Sequence, residues 1–295
     1  MIILFLTNVI YISISVLLSL KFCYSKLFPS IFPFLFISQI IPCSIWLDGI
    51  FISSKNDKKN ILGICKIYLS SAITGMLFGF IVGASEICER YKQFNLKDSG
   101  FTDAIFLSSN ANIGFVISCV GMAIFNDAFL GLYLYLSQLI WSVLIYLIFK
   151  ETICQSKSLS GYIRSCSFAK RITNSVKKST ETMISICAFT IIFRAIISVL
   201  NLYLNKQNDA TLSAVISSFF EFTSGVFSAS CINNSYISRF MVGFSVGFGG
   251  LSVILQTFSL CEGLPLKRGK FIFLKALQGI LCGFSMVIFS FIEKN

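Results

Sequence analysis

Histidine is absent from all 295 residues. That excludes Ser-His-Asp and Cys-His arrangements, His general bases and zinc motifs built on His. Acidic residues are scarce, with 13 Asp plus Glu against 24 Lys plus Arg. Glu86, Glu89, Arg90 and Lys92 follow Gly83-Ala84-Ser85 and read as a solvated loop, not as a carboxylate pair held at a fixed separation across a cleft. Only four prolines occur. The 11 cysteines (Cys23, Cys43, Cys65, Cys88, Cys119, Cys154, Cys166, Cys187, Cys231, Cys261 and Cys282) include no CxxC pair, and most lie in apolar runs. They are expected to be small buried residues, not ligands or a disulfide framework. No catalytic residue, cofactor or metal site is expected, and the chain does not read as an enzyme.

Apolar surface is what the chain has in excess. It is 55% hydrophobic and 13% charged, with a mean hydropathy of +0.81. A soluble domain of this length cannot hide that much, so the expected fold class is all-α, a polytopic transmembrane helical protein in a lipid bilayer. The 32 Phe suit helices facing lipid. The formal net charge of +11 fits Lys and Arg gathered in cytoplasmic loops. No basic segment is interleaved with stacking aromatics, so nucleic acid is not an expected partner. The excess of positive charge instead favours drawing a small anionic solute into a cavity. The apolar run from Met1 to Leu20 lacks a basic leader and a small-residue cleavage site. It is followed by Lys21, Phe22, Tyr24 and Lys26, as suits a retained anchor.

Spanning segments are expected at 2–20, 30–52, 61–84, 103–126, 128–149, 182–204, 211–231, 239–260 and 271–292, since a crossing needs about 20 apolar residues. The segments 103–126, 211–231 and 239–260 are the least regular, and re-entrant hairpins or half-helices are expected among them. A hydrophilic stretch from Lys150 to Lys178 holds seven Lys and Arg against one acid, Glu151. It divides the chain into a first membrane half at 1–149 that includes the anchor, a basic cytoplasmic linker at 150–180, and a second membrane half at 181–295. The end of the linker, Phe168 to Ser179, reads either as an amphipathic surface helix or as a plain solvated linker. The loop with Lys55, Lys58 and Lys59 is also basic, which leaves the topology open.

Two apolar runs are interrupted by small and polar residues. The first is Leu107-Ser108-Ser109-Asn110-Ala111-Asn112-Ile113-Gly114-Phe115. The second is Val246-Gly247-Phe248-Gly249-Gly250-Leu251-Ser252-Val253-Ile254-Leu255-Gln256. Irregular backbone at membrane depth survives only inside protein or beside a watery cavity. Paired interruptions in two halves point to a transporter's binding site. The halves correspond in order. Pro33–Ile41 lines up with Ala188–Ile196, Phe78-Gly79-Phe80 with Thr223-Ser224-Gly225, the interrupted runs with each other, and Ala128–Phe149 with its Gln138 with Phe271–Phe291 with its Gln278. Two repeated halves with broken or re-entrant helices are therefore expected.

Polar groups inside spans need a partner or a purpose. Ser109, Asn110 and Asn112 offer uncharged donors and acceptors, as do Ser224, Ser252 and Gln256. Gly249 and Gly250 would let backbone amides approach a ligand. Close helix packing is the alternative for both clusters. Glu221 could bind a coupling cation, carry a proton or pair with Arg194, and Arg194 could instead meet a carboxylate-bearing solute. Lys275, near the end of its span, could snorkel to the interface.

In order along the chain, Leu27-Phe28-Pro29-Ser30-Ile31-Phe32-Pro33-Phe34, Gly79–Ala84, Ser109–Asn112, Glu221–Gly225, Gly249–Gln256 and Leu274–Gly279 resemble the sporulation integral membrane proteins of the YlbJ (SpoVV) type. These belong to a wider group sharing the nucleoside-recognition or Gate domain. The resemblance implies a fold distantly like that of concentrative nucleoside transporters. It also implies a role in endospore formation, with movement of dipicolinate toward the forespore across its outer membrane. The alternatives are a cation-coupled nucleoside permease and a non-transporting membrane scaffold for spore assembly; assembly into an oligomer stays open. Where the family pattern near Gly79 resembles Ser-Gly-Tyr-Pro, this chain has Phe78-Gly79-Phe80-Ile81. It also has Ile113-Gly114 where a proline usually follows the Asn-rich segment.

Overall fold

The computed structural model describes residues 8–40, 61–94, 100–151, 168–204 and 209–294. Among them the regular structure is helical throughout. The loop with Lys55, Lys58 and Lys59, and the linker residues Lys157 and Arg164, lie outside the described residues.

Helix α1 (Val9–Phe22) passes through a π turn (Cys23–Leu27) directly into α2 (Phe28–Ile40). Among the described residues one 32-residue apolar stretch, Val9–Ile40, therefore joins parts of the spans expected at 2–20 and 30–52, whose remainders at 2–7 and 41–52 lie outside the described residues. Lys21 and Lys26 do not end the helix. Lys21 points outward, and Lys26 Nζ donates to the Ala123 carbonyl at 3.2 Å.

Among the described residues, five helical stretches are by length and composition able to cross a membrane: Val9–Ile40, Ala128–Phe149, Ile172–Leu204, Ser235–Leu260 (interrupted at Gly249) and Arg268–Glu293. An all-α membrane protein follows, but with fewer full crossings among the described residues than the nine expected. Two of the expected spans are helical hairpins.

The first hairpin pairs α3 (Ile61–Phe78) with α4 (Phe80–Phe94). The chain turns at Gly79, whose φ of +107° suits only a residue without a Cβ. Gly75 and Gly83 flank the turn by four residues each. In a straight helix they would be about 12 Å apart. Here they touch, and a Cβ on Gly83 would lie 2.6 Å from the Gly75 Cα. The segment 61–84 therefore doubles back. Helix α4 also runs on through the expected loop at Glu86–Lys92. Arg90 is buried there, 3.3 Å from Glu86 and 3.2 Å from the Ser70 hydroxyl.

The second hairpin pairs α8 (Ala210–Phe220) with α9 (Phe222–Ser230) about Glu221, whose backbone is extended. Arms of 11 and 9 residues reach about 16 and 14 Å, roughly half the ~30 Å hydrocarbon core. Small residues let them close: Ser228 Oγ lies 3.1 Å from Ser217 Oγ, and a Cβ on Gly225 would press on the Ser218 backbone.

An interrupted helix follows each hairpin. Helix α5 (Phe101–Ser108) stops before 109–112, and a π-helical segment (Phe115–Ile124) continues the path. Helix α10 (Ser235–Phe248) stops at Gly249, with φ +83°, before α11 (Gly250–Leu260). No proline is needed at any of these breaks. Left-handed glycine, extended Glu221 and the Ser-Asn run suffice. Each half then closes with a long helix, α6 (Ala128–Phe149) or α12 (Arg268–Lys294). Helix α6 packs on the π-helical segment and α12 along α10.

Helix α7 (Phe168–Leu204) precedes the second hairpin, so the linker's end, Phe168–Ser179, is helix continuous with the first span of the second half. It lies antiparallel to α1: the Tyr203 hydroxyl meets Asn8 Nδ2 at 2.9 Å, and the Arg194 carbonyl accepts from Ser15 Oγ at 3.2 Å.

Candidate functional site

The two hairpin tips and the two interruptions meet. A Cβ on Gly79 would lie 3.2 Å from the Asn112 side chain, and one on Gly250 would lie 3.1 Å from the Glu221 backbone. Each tip thus rests on one break. Asn112 ties the first pair: its Nδ2 donates to the Phe78 carbonyl at 3.0 Å, while its Oδ1 accepts from the amides of Gly114 (2.7 Å) and Phe115 (3.2 Å). This satisfies both the end of α3 and the start of the π-helical segment, whose terminal groups have no partners within their own helices.

Glu221 plays the same capping part for α9. Its Oε1 accepts from the Thr223 amide at 2.9 Å. Its Oε2 accepts from the Thr223 hydroxyl (2.5 Å), the Ser224 amide (2.7 Å) and the Ser224 hydroxyl (2.7 Å). Arg194 Nε donates to the Ser224 Oγ at 2.8 Å. Arg194 therefore reaches Glu221 by way of Ser224, and its guanidinium lies over the Phe22 ring, 4.0 Å from the centroid.

Where the four pieces converge there is a cavity of about 50 Å³. Asn112, Glu221, Ser252 and Gln256 supply its polar lining, with Thr190 from α7. Phe78, Phe80, Phe115 and Phe222 supply its aromatic lining. Phe80 and Phe115 both meet Phe222 edge-on, at 5.5 and 5.2 Å between centroids. Gln256 Oε1 is buried there without a hydrogen-bond partner.

Four helical segments begin at this cavity: α4, α9, α11 and the π-helical segment. Asn112 and Glu221 cap two of them with side chains. The other two start at Gly79 and Gly249, which have no side chain to offer. Their first-turn amides carry the partial positive charge of a helix start, so this end of the cavity favours negative charge.

The structure places the sequence-predicted residues in four settings. Asn112, Glu221, Ser252 and Gln256 line the central cavity. Gly249 and Gly250 lie beside it, Gly249 against the Phe80 ring and Gly250 as the seat of the second tip. Ser109 and Asn110 lie behind it: Asn110 Nδ2 donates to the Leu107 carbonyl (2.8 Å) and to Ser142 Oγ (3.3 Å), and its Oδ1 accepts from Gln278 Nε2 (2.9 Å). Arg194 and Ser224 line a separate cleft of about 270 Å³ between α1, α7 and the second hairpin, with Ser15, Ser198 and Asn201.

Lys275 departs most from expectation. It is fully buried instead of snorkelling, and its Nζ donates to the Ser109 carbonyl at 2.9 Å and to Gln278 Oε1 at 2.7 Å. The α12 residues facing α5 carry it inward, and the Gln278 one turn later was the available signal. The aromatic lining was also missed, because Phe is so abundant here that no single one stands out.

Comparisons with protein-family models, with curated proteins and with solved structures return no match to this chain.

Proposed function

We propose that the chain is a membrane transporter for a small aromatic carboxylate, and that the cavity at the hairpin tips is its solute site, seen closed. The carrying observation is the convergence of four helical starts, two of them without side-chain caps, on one cavity lined by phenylalanines. Helix starts favour carboxylates, and phenylalanine faces and edges favour an aromatic ring. Dipicolinate, the solute that the resemblance to the YlbJ-type sporulation proteins implies, has both. The recurring order of hairpin, interrupted helix and long helix supports reading the halves as repeats, and transporters built from repeats place their solute at such breaks.

The cavity is too small for this solute as it stands. About 50 Å³ has room for a few waters, whereas a cavity that takes a benzene ring measures roughly 150 Å³. Binding therefore requires the tips at Gly79 and Glu221 to part, which is the motion that opens a path. Glu221 remains compatible with an anion, because two amides, two hydroxyls and the Arg194 link already occupy its oxygens.

Purified protein in liposomes should take up labelled dipicolinate. Gln256→Leu should lower the initial rate about three- to tenfold, the worth of one hydrogen bond. Uptake equal to that of empty liposomes would sink the reading. Uridine uptake driven by a sodium gradient would replace it with a nucleoside permease.

A further inference from the structure

Lys275 poses a separate question, because a fully buried ammonium ordinarily has an acid beside it. Its described hydrogen bonds go to two neutral oxygens, the Ser109 carbonyl at 2.9 Å and the Gln278 amide oxygen at 2.7 Å. The Phe80 ring covers it, with the centroid 5.2 Å from Nζ, within range of a cation–π contact. The Ser109 carbonyl belongs to the unwound stretch just past the C-terminus of α5, where a helix carries partial negative charge. Gln278 is aimed by its own amide, whose Nε2 donates to Asn110 Oδ1 (2.9 Å) and to the Gln138 carbonyl (3.1 Å). The Gln138 side chain is itself fully buried, and both its polar atoms are without a hydrogen-bond partner.

Neutral carbonyl oxygens at an unwound helix are the setting in which proteins hold alkali cations. We propose that Lys275 is a tethered cation: its ammonium fills a monovalent-cation site built from the Ser109 carbonyl and the Gln278 amide oxygen. An ammonium and a potassium ion match in charge and nearly in size, and both prefer such oxygens. The protein then carries its own cation at this break, and removing the side chain leaves a site that a free alkali ion can enter.

The test is thermal unfolding of the purified full-length protein in lithium, sodium, potassium or N-methylglucamine chloride at constant ionic strength. The natural protein should unfold at the same temperature in all four. Lys275→Ala should unfold lower in N-methylglucamine and recover saturably with one alkali ion, by about 3–6 °C for tight binding. Lys275→Met, which fills the space with an apolar chain, should show no recovery. A folded Lys275→Ala protein with no ion-specific shift overturns the inference, as does a natural protein that responds to an alkali ion as strongly as the variant. Should Lys275→Ala fail to fold in N-methylglucamine, the yield of monodisperse protein purified in each salt decides: recovery in one alkali ion supports the site, and equal failure in all four refutes it. The readout needs no transport, so this result and the dipicolinate uptake result can fail independently.

Discussion

Asn112 donates to the carbonyl of Phe78, 34 residues earlier, at 3.0 Å. One side chain thereby fastens the tip of the first hairpin to the interruption of the next helix. Asn112→Ala removes this bond and the cap on Gly114 and Phe115 together, at an expected cost of about 2–3 kcal/mol. Asn112→Asp keeps the cap but turns a carboxylate oxygen toward the buried Phe78 carbonyl, so at neutral pH it should unfold no higher than Asn112→Ala. Equal stability of Asn112→Ala and the natural protein would show that the tip is held by other contacts.

Glu221, Ser224 and Arg194 form a chain in which each link orients the next. Glu221→Gln leaves one acceptor oxygen where the carboxylate used two. Hydrogen exchange at the amides of Thr223 and Ser224 should rise about tenfold, as loss of a charge-assisted cap implies. Arg194→Gln should produce a smaller rise. The double variant should fall short of the sum, because both act through Ser224.

Gly75 and Gly83 sit against each other and against Ser108. Gly83→Ala forces a methyl group into backbone and should destabilise by about 1–3 kcal/mol. Gly269→Ala is the matched control. Nothing lies within 4 Å of its added carbon, and helix propensity favours Ala, by less than the ~1 kcal/mol of a helix interior because Gly269 is the second residue of α12. Urea or thermal midpoints of the two variants should move in opposite directions.

Glu151, beyond the end of α6, accepts from Lys267 Nζ at 2.8 Å and from Lys270 Nζ at 3.2 Å. The Lys267 hydrogen bond, then that of Lys270, holds its carboxyl below the usual carboxylate range. A lowered value in the folded state means that this stabilisation is complete above the ordinary glutamate value of about 4.3 and is lost as pH falls through the folded value. Unfolding temperature should therefore drop on acidification below that range. Glu151→Gln should make the drop shallower, and an unchanged pH profile would show the cluster to be without consequence. The effect should be small, since the group is partly exposed and salt screens it.

The sequence makes the helical membrane class legible, because composition alone excludes a soluble core. It also marks both interruptions and Glu221, since Ser, Asn, Gly and Glu are conspicuous in apolar runs. It does not separate a crossing from a hairpin. The segments 61–84 and 211–231 have the hydropathy of full spans, and what folds them back is a single backbone angle at Gly79 and one extended residue at Glu221. The same blindness explains Lys275 and Arg90, which look like surface charges in a string of letters. Each has a partner nearby in sequence, Gln278 or Glu86, but what draws it inward, Ser109 or Ser70, lies 166 or 20 residues away. Arg194 illustrates the opposite case. Its presence in a span was evident, but which of two cavities it faces depends on the rotation of α7.

Helix α7 has 37 residues, about 55 Å at 1.5 Å each, against a hydrocarbon core of roughly 30 Å. Its amino-terminal end, where Lys178 meets Glu89 of α4 at 2.7 Å and Ser175 and Ser179 are buried against the protein, therefore reaches past the hydrocarbon. Water, not acyl chains, thus surrounds the Lys178–Glu89 contact, and added salt should weaken it.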